Sequence, residues 1–254
     1  MANMGGRVVR GRQVDLSPCS VVTMIGMSGG FWAWLIRSDA GLAVRVGVGV
    51  SILGVLAVVE IWRRGREARR WREYLFLLFA AGVAMAYGVV NDVITAGISW
   101  EYYYYGKGLD VVLGATVPPA VGALRWEAAV VGMKSTWTAG LIGGVALLIA
   151  NNPRRGREQL PYGALCGLVP MMVVWAGLCA AVLGVVGYMG IFARFSGDFA
   201  DLVRADLFRP RRFMCVYGIH LGGYVGGLIG AIAGVVWIVR KRGGGRGIAS
   251  CDRG

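Results

Sequence analysis

The side chains able to do chemistry in this chain are few, and they fall in a few places. NDVITAGISWEYYYYGKGLD, residues 91–110, interrupts an apolar sequence with Asn91, Asp92, Thr95, Glu101, four consecutive tyrosines and Lys107. Lys134 stands inside a later apolar run, and His220, the one histidine of the chain, inside the last. Carboxylate and neutral imidazole are common ligands of divalent metals, which makes Asp92, Glu101 and His220 a candidate metal set. The same groups could perform acid and base steps on a lipid or small molecule. The spacing has no HExxH signature to support either. The opposing reading makes Asp92, Glu101, Lys134 and His220 buried hydrogen bonds and ion pairs that fix helices to one another. Trp100 and Tyr102 to Tyr105 would then form an aromatic belt at headgroup level.

What must position these residues is a set of membrane helices. The chain has 254 residues, of which 56% are hydrophobic and 42 are glycine, too apolar for an ordinary soluble domain. A helix needs about 20 mostly apolar residues to cross the hydrocarbon layer, and the stretches 42–62, 75–96, 128–150, 163–190 and 214–239 meet that length. With no water to bond the backbone, helices are the conformation such runs can adopt, and no short alternating segments suggest a barrel. The fold class expected is an all-α integral membrane bundle of five spans. SVVTMIGMSGGFWAWLI, residues 20–36, split as it is by Gly29 and Gly30, could be an interfacial segment, a poor signal-like region or a sixth span. The chain thus divides into an N-terminal extension at 1–40, a helical domain at 41–242 and a tail at 243–254. Ser196 or Asp198 could cap an amphipathic surface helix over 196–208.

Arginine sets the expected orientation. Six Arg fall in 63–73, three in 151–162, and five basic residues follow Val239, whereas the opposite links dilute their cations with acids. The positive-inside rule then gives a multi-pass membrane protein with its N-terminus out and its C-terminus in. Most of the net charge of +13 comes from these stretches, and without an accompanying recognition motif it implies no nucleic-acid partner. Glu60 is expected to pair with Arg63 and Arg64 at the inner end of the first span. The five cysteines show neither a disulfide framework nor a zinc spacing.

On this topology Asn91, Asp92 and Thr95 lie near the outer end of the second span, with Lys134 and His220 near the outer ends of the third and fifth. Tyr87, Asn91 and Thr95 recur every four residues, and Tyr217, His220 and Tyr224 share one helix face. One pocket could hold them all. On the fifth span Gly218, Gly222, Gly226, Gly230 and Gly234 form a ridge for close helix packing, toward a neighbour in the bundle or toward a homo-oligomer or membrane-complex partner.

YGVVNDVITAGISWEYYYYGKGL, MKSTWTAGLIGG and YGIHLGGYVGGLIGAIAGVVWIVRKR together resemble a family of uncharacterised bacterial polytopic membrane proteins with a YGxxxDxxT…EYF core and a late HxxxYxxGLIG helix. Members often have His where Asn91 stands and Phe where Tyr103 stands, so any role of that His is in doubt here. The resemblance implies a topology and a place for the cluster, and it brings no activity. Three functions stay open: a structural, scaffold or assembly protein in the lipid bilayer, a membrane-embedded enzyme or metal-binding protein at the outer face, and a small transporter. A transporter would show a polar path reaching Glu60.

Overall fold

The computed structural model of the protein describes residues 39–152, 158–192 and 209–243. The expectations placed on 20–36, on 196–208 and on the tail beyond Gly243 lie outside the described residues. Five helices are long and apolar enough to span a membrane, and no strand occurs among the described residues. They are α1 (Asp39–Arg64), α2 (Trp71–Ile98), α3 (Val121–Asn151), α4 (Tyr162–Tyr188) and α5 (Pro210–Gly243). The protein is a multi-pass helical membrane protein. Most helices run past their apolar windows, because backbone hydrogen bonding does not stop where the hydrocarbon does. The exception is α4, which ends two residues before its window. Gly190 takes a φ of +77° there, and Gly190 N–H bonds Gly187 O while Ile191 N–H bonds Val186 O, the glycine-terminated cap that closes a helix end.

The chain divides into two compact units, Met1–Val46 and Gly47–Gly254. In the first, the described residues are the opening turns of α1, where Arg45 Nε donates to Gly41 O at 3.3 Å. In the second, α1 exposes Val48, Val50, Ile52, Val55, Val58 and Trp62, an apolar face suited to lipid. Its far end is tied down by Glu60. The sequence suggested an ion pair with Arg63 and Arg64, but the carboxylate accepts the backbone N–H groups of Arg69, Arg70 and Trp71 at 3.2, 2.9 and 2.8 Å. These are unsatisfied donors at the start of α2, so Glu60 serves as a helix cap supplied by the preceding helix.

The other four helices form two tight pairs. Lipid tails leave little hydrophobic drive between helices, so close backbone approach over small residues supplies the packing. Between α2 and α3, a Cβ on Gly88 would strike the Gly132 carbonyl, and one on Gly132 would strike the Gly88 carbonyl. Between α4 and α5, Cβ atoms on Gly218, Gly222 and Gly226 would strike the backbone of Leu183, Cys179 and Trp175, while Gly230 meets Met172. The ridge thus faces α4 over four of its glycines, and Gly234 turns to Leu147 and Leu168. The pairs are joined at both ends by buried apolar clusters, one around Tyr103, Leu124, Ala128, Phe213 and Val216. The other surrounds Phe76, Leu147, Leu165 and Ile238. At the second end Asn151 exchanges hydrogen bonds with both backbone groups of Leu160. Arg242 donates there to the carbonyls of Ala150 and Asn152.

Candidate functional site

Between the two apolar clusters, α2, α3 and α5 part to leave a cavity of about 450 Å³, with α4 behind it. Its polar end is formed by Tyr87, Asn91, Asp92, His220 and Tyr224, and the remainder by Ala, Gly, Val, Ile and Met side chains with Ser135 and Thr136.

Asp92 sits on the inward face of α2 and is 2% exposed. Its Oδ1 accepts from Asn91 Nδ2 at 3.1 Å and lies 3.8 Å from His220 Nδ1. The other ring nitrogen of His220 is 3.2 Å from the Tyr103 hydroxyl, which is 2.7 Å from Thr95 Oγ1. Thr95 Oγ1 in turn lies 2.8 Å from Asn91 O, to which it donates. Because Thr95 gives its one proton to Asn91 O, Tyr103 donates to Thr95 and accepts from His220 Nε2, and the line stops short of Asp92, whose 3.8 Å separation from His220 exceeds a hydrogen bond. The Tyr102 ring stacks on His220 with centroids 4.9 Å apart and planes at 12°, fixing the imidazole's orientation. Lys107 Nζ lies 5.5 Å from the centroid of the same tyrosine ring.

Burial pushes the Tyr102 and Tyr103 phenols well above the ordinary tyrosine value, with the Asp92 charge adding to it. Both therefore stay protonated donors at neutral pH. The Tyr103 hydroxyl lies within hydrogen-bond distance of both Thr95 and His220. Asp92 Oδ2 and the Tyr87 hydroxyl are buried, line the cavity and have no hydrogen-bond partner. A buried acceptor left so costs about 1–3 kcal/mol. Such atoms in a cavity wall are places where a ligand can bond.

The structure draws Asn91, Asp92, Thr95 and His220 together, with Tyr224 half-exposed on the cavity wall. Glu101 does not join them. It is buried, and its Oε1 accepts from Arg209 N at 3.1 Å, fastening the start of α5 to the tyrosine turn. Among the described residues no three His, Cys, Asp or Glu side chains gather to hold a metal. Asp92, Glu101 and His220 are thus not a ligand set, because Glu101 is committed elsewhere. Lys134 is half-buried on α3, and the lysine whose charge acts on Asp92 is Lys107. The aromatic belt also needs correcting. Tyr102, Tyr103 and Tyr104 are buried and only Tyr105 is exposed, because residues 102–106 form one wide π turn that tucks back between the helices. Tyr104 closes that turn by donating to Gly114 O at 2.7 Å.

Sequence reasoning missed Tyr102 and Tyr103 as members of the site. The available signal was their position one π turn beyond a stripe that already held Asn91 and Thr95. Glu60 is absent from the cavity wall, and the wall beyond Thr136 and Ser135 is apolar to Val236, so among the described residues no polar path connects the two. No protein-family model matches the chain, and no curated protein and no solved structure matches it significantly.

Proposed function

We propose that this is a bacterial inner-membrane protein, N-terminus out and C-terminus in, that binds an amphiphilic molecule in the cavity between its helix pairs. On that orientation the polar end of the cavity, held by Asp92, His220, Tyr103 and Thr95, belongs to the outer half of the bundle. The observation that carries this reading is the unpartnered Asp92 Oδ2, 2% exposed as a residue, at the polar end of an otherwise apolar wall. A volume of 450 Å³ falls in the range of small-ligand sites, about 300–1,000 Å³. The family resemblance belongs to this proposal, since its YGxxxDxxT core contains Tyr87, Asp92 and Thr95 and its late helix contains His220 and Tyr224. The arginine-rich links supply the orientation.

A second reading, acid and base chemistry on the bound molecule, has one observation in its favour, the approach of His220 Nδ1 to Asp92 Oδ1 at 3.8 Å beside the cavity. Association of copies through α5 finds less support, because four glycines of the ridge are occupied by α4.

The binding reading is tested by photocrosslinking in membranes with a fatty chain carrying a diazirine. Adducts are expected on cavity residues such as Leu228 and Ala231 and on Ala139. Labelling confined to the exposed face of α1, with none on the cavity wall, would contradict it. A reporter fused after Arg242 is expected to be active only in the cytoplasm, and periplasmic activity would overturn the orientation.

A further inference from the structure

The shape of the cavity and the chemistry of its polar end restrict its occupant further than the binding of an amphiphile. Lining residues run from Ala80 to Asp92 on α2 and from Val236 to His220 on α5. At 1.5 Å per helical residue these paths are about 18 and 24 Å long. A volume of 450 Å³ spread over about 20 Å leaves a mean cross-section of about 20 Å², one extended hydrocarbon chain wide. The groove exists because its walls are small, with Ala84 on α2, Ala139 and Gly143 on α3, and Gly227 and Ala231 on α5.

The polar end selects the head. No Lys or Arg is among the lining residues, and the one carboxyl among them is that of Asp92. Lys107, whose charge reaches Asp92, stands outside the lining against the Tyr102 ring, so a phosphate at the wall would meet the Asp92 carboxyl first, which like-charge repulsion and desolvation disfavour. Asp92 Oδ2 requires a donor, and the Tyr87 hydroxyl can both donate and accept. The Tyr87 hydroxyl lies against Gly223, where a Cβ would stand 3.0 Å from it, so this second polar point is on the same wall of α5 as His220. A head with two hydroxyls can donate one hydrogen bond to Asp92 Oδ2 and accept one from Tyr87.

We propose that the cavity takes a single-chain amphiphile with an uncharged, hydroxyl-bearing head, the class of monoacylglycerols, with Asp92 Oδ2 and Tyr87 as head contacts. This rests on the preceding reading that the cavity is a ligand site and adds the ligand's chemistry. The test uses the full chain in nanodiscs of dioleoylphosphatidylcholine, with unfolding followed by tryptophan fluorescence as probes sharing a twelve-carbon chain are titrated in. The probes are 1-monolauroylglycerol, dodecyl phosphate and dodecylamine. Monolauroylglycerol is expected to raise the unfolding midpoint saturably. Asp92→Asn, which keeps the shape and loses the charged acceptor, should need about tenfold more of it. Ala231→Phe, which fills the chain groove and leaves the head contacts in place, should abolish the shift. If dodecyl phosphate or dodecylamine shifts the midpoint at lower concentration than monolauroylglycerol, and Ala231→Phe abolishes that shift, the head assignment is overturned while the cavity stands as a ligand site. If no probe gives a saturable shift, or all act equally on the wild type and Ala231→Phe, both readings fail.

Discussion

The Tyr103 hydroxyl stands 3.2 Å from His220 Nε2, joining the turn after α2 to the first third of α5 across 117 positions of sequence. With Thr95 at 2.7 Å on its other side, this one hydroxyl decides how the polar ends of α2 and α5 face each other. The cavity lies immediately beyond, so its shape depends on that bond.

Tyr103→Phe keeps the buried ring and removes both hydrogen bonds, leaving the Thr95 and His220 groups without their partner. A loss of about 1–3 kcal/mol in unfolding free energy is expected. Thr95→Val should cost less, since it breaks one contact of Tyr103 and not two. The double variant should fall well short of the sum, because both substitutions remove the same bond. Reversible denaturation in mild detergent measures all three, and strict additivity would show that the two hydroxyls act independently.

Gly226→Leu should prevent α4 and α5 from pairing, since its Cβ alone would strike the Trp175 carbonyl and the Ala176 backbone. The matched control is Gly177→Leu on the exposed face of α4, where a Cβ meets nothing within 4 Å. Gly190 is a poor control despite equal space around it, because its φ of +77° strains any residue with a Cβ. The fraction of monodisperse protein recovered in detergent separates the two variants, and equal recovery would contradict the packing.

High pH should destabilise the bundle through Tyr102 and Tyr103. Their phenols are raised in the folded state, chiefly by burial, so above the ordinary value of about 10 the unfolded chain releases protons that the folded chain retains. Stability attributable to these groups is complete below about pH 10 and falls as pH rises beyond it. Absorbance titration of tyrosinate should show these residues ionising with unfolding and not with the exposed tyrosines. Tyr103→Phe should flatten the decline.

The spans were legible because a run of about 20 apolar residues carries its own signal. Neighbours on one helix face were legible for a similar reason, since Tyr87, Asn91 and Thr95 follow the helical period. Partnerships that depend on a change of backbone geometry were not. Tyr103 turns inward only because residues 102–106 widen into a π turn, and nothing in four identical residues says which will be buried. Choosing Lys107 over Lys134 depends on that same turn folding back over α5. Glu60 looked like a surface ion-pair residue until the path of the arginine-rich link brought the amides of Arg69, Arg70 and Trp71 onto it. The cavity was the least legible feature, since it is the space left where two glycine-packed pairs meet without closing.

The most direct measurement is native mass spectrometry of the protein released from nanodiscs, comparing the wild type with Ala231→Phe. One retained small amphiphile per wild-type chain, surviving activation that strips bulk lipid and absent from the folded Ala231→Phe variant, is the expected result. Wild-type chains that emerge bare, or equal retention in both proteins, would contradict a ligand held between α2, α3 and α5 beside Asp92.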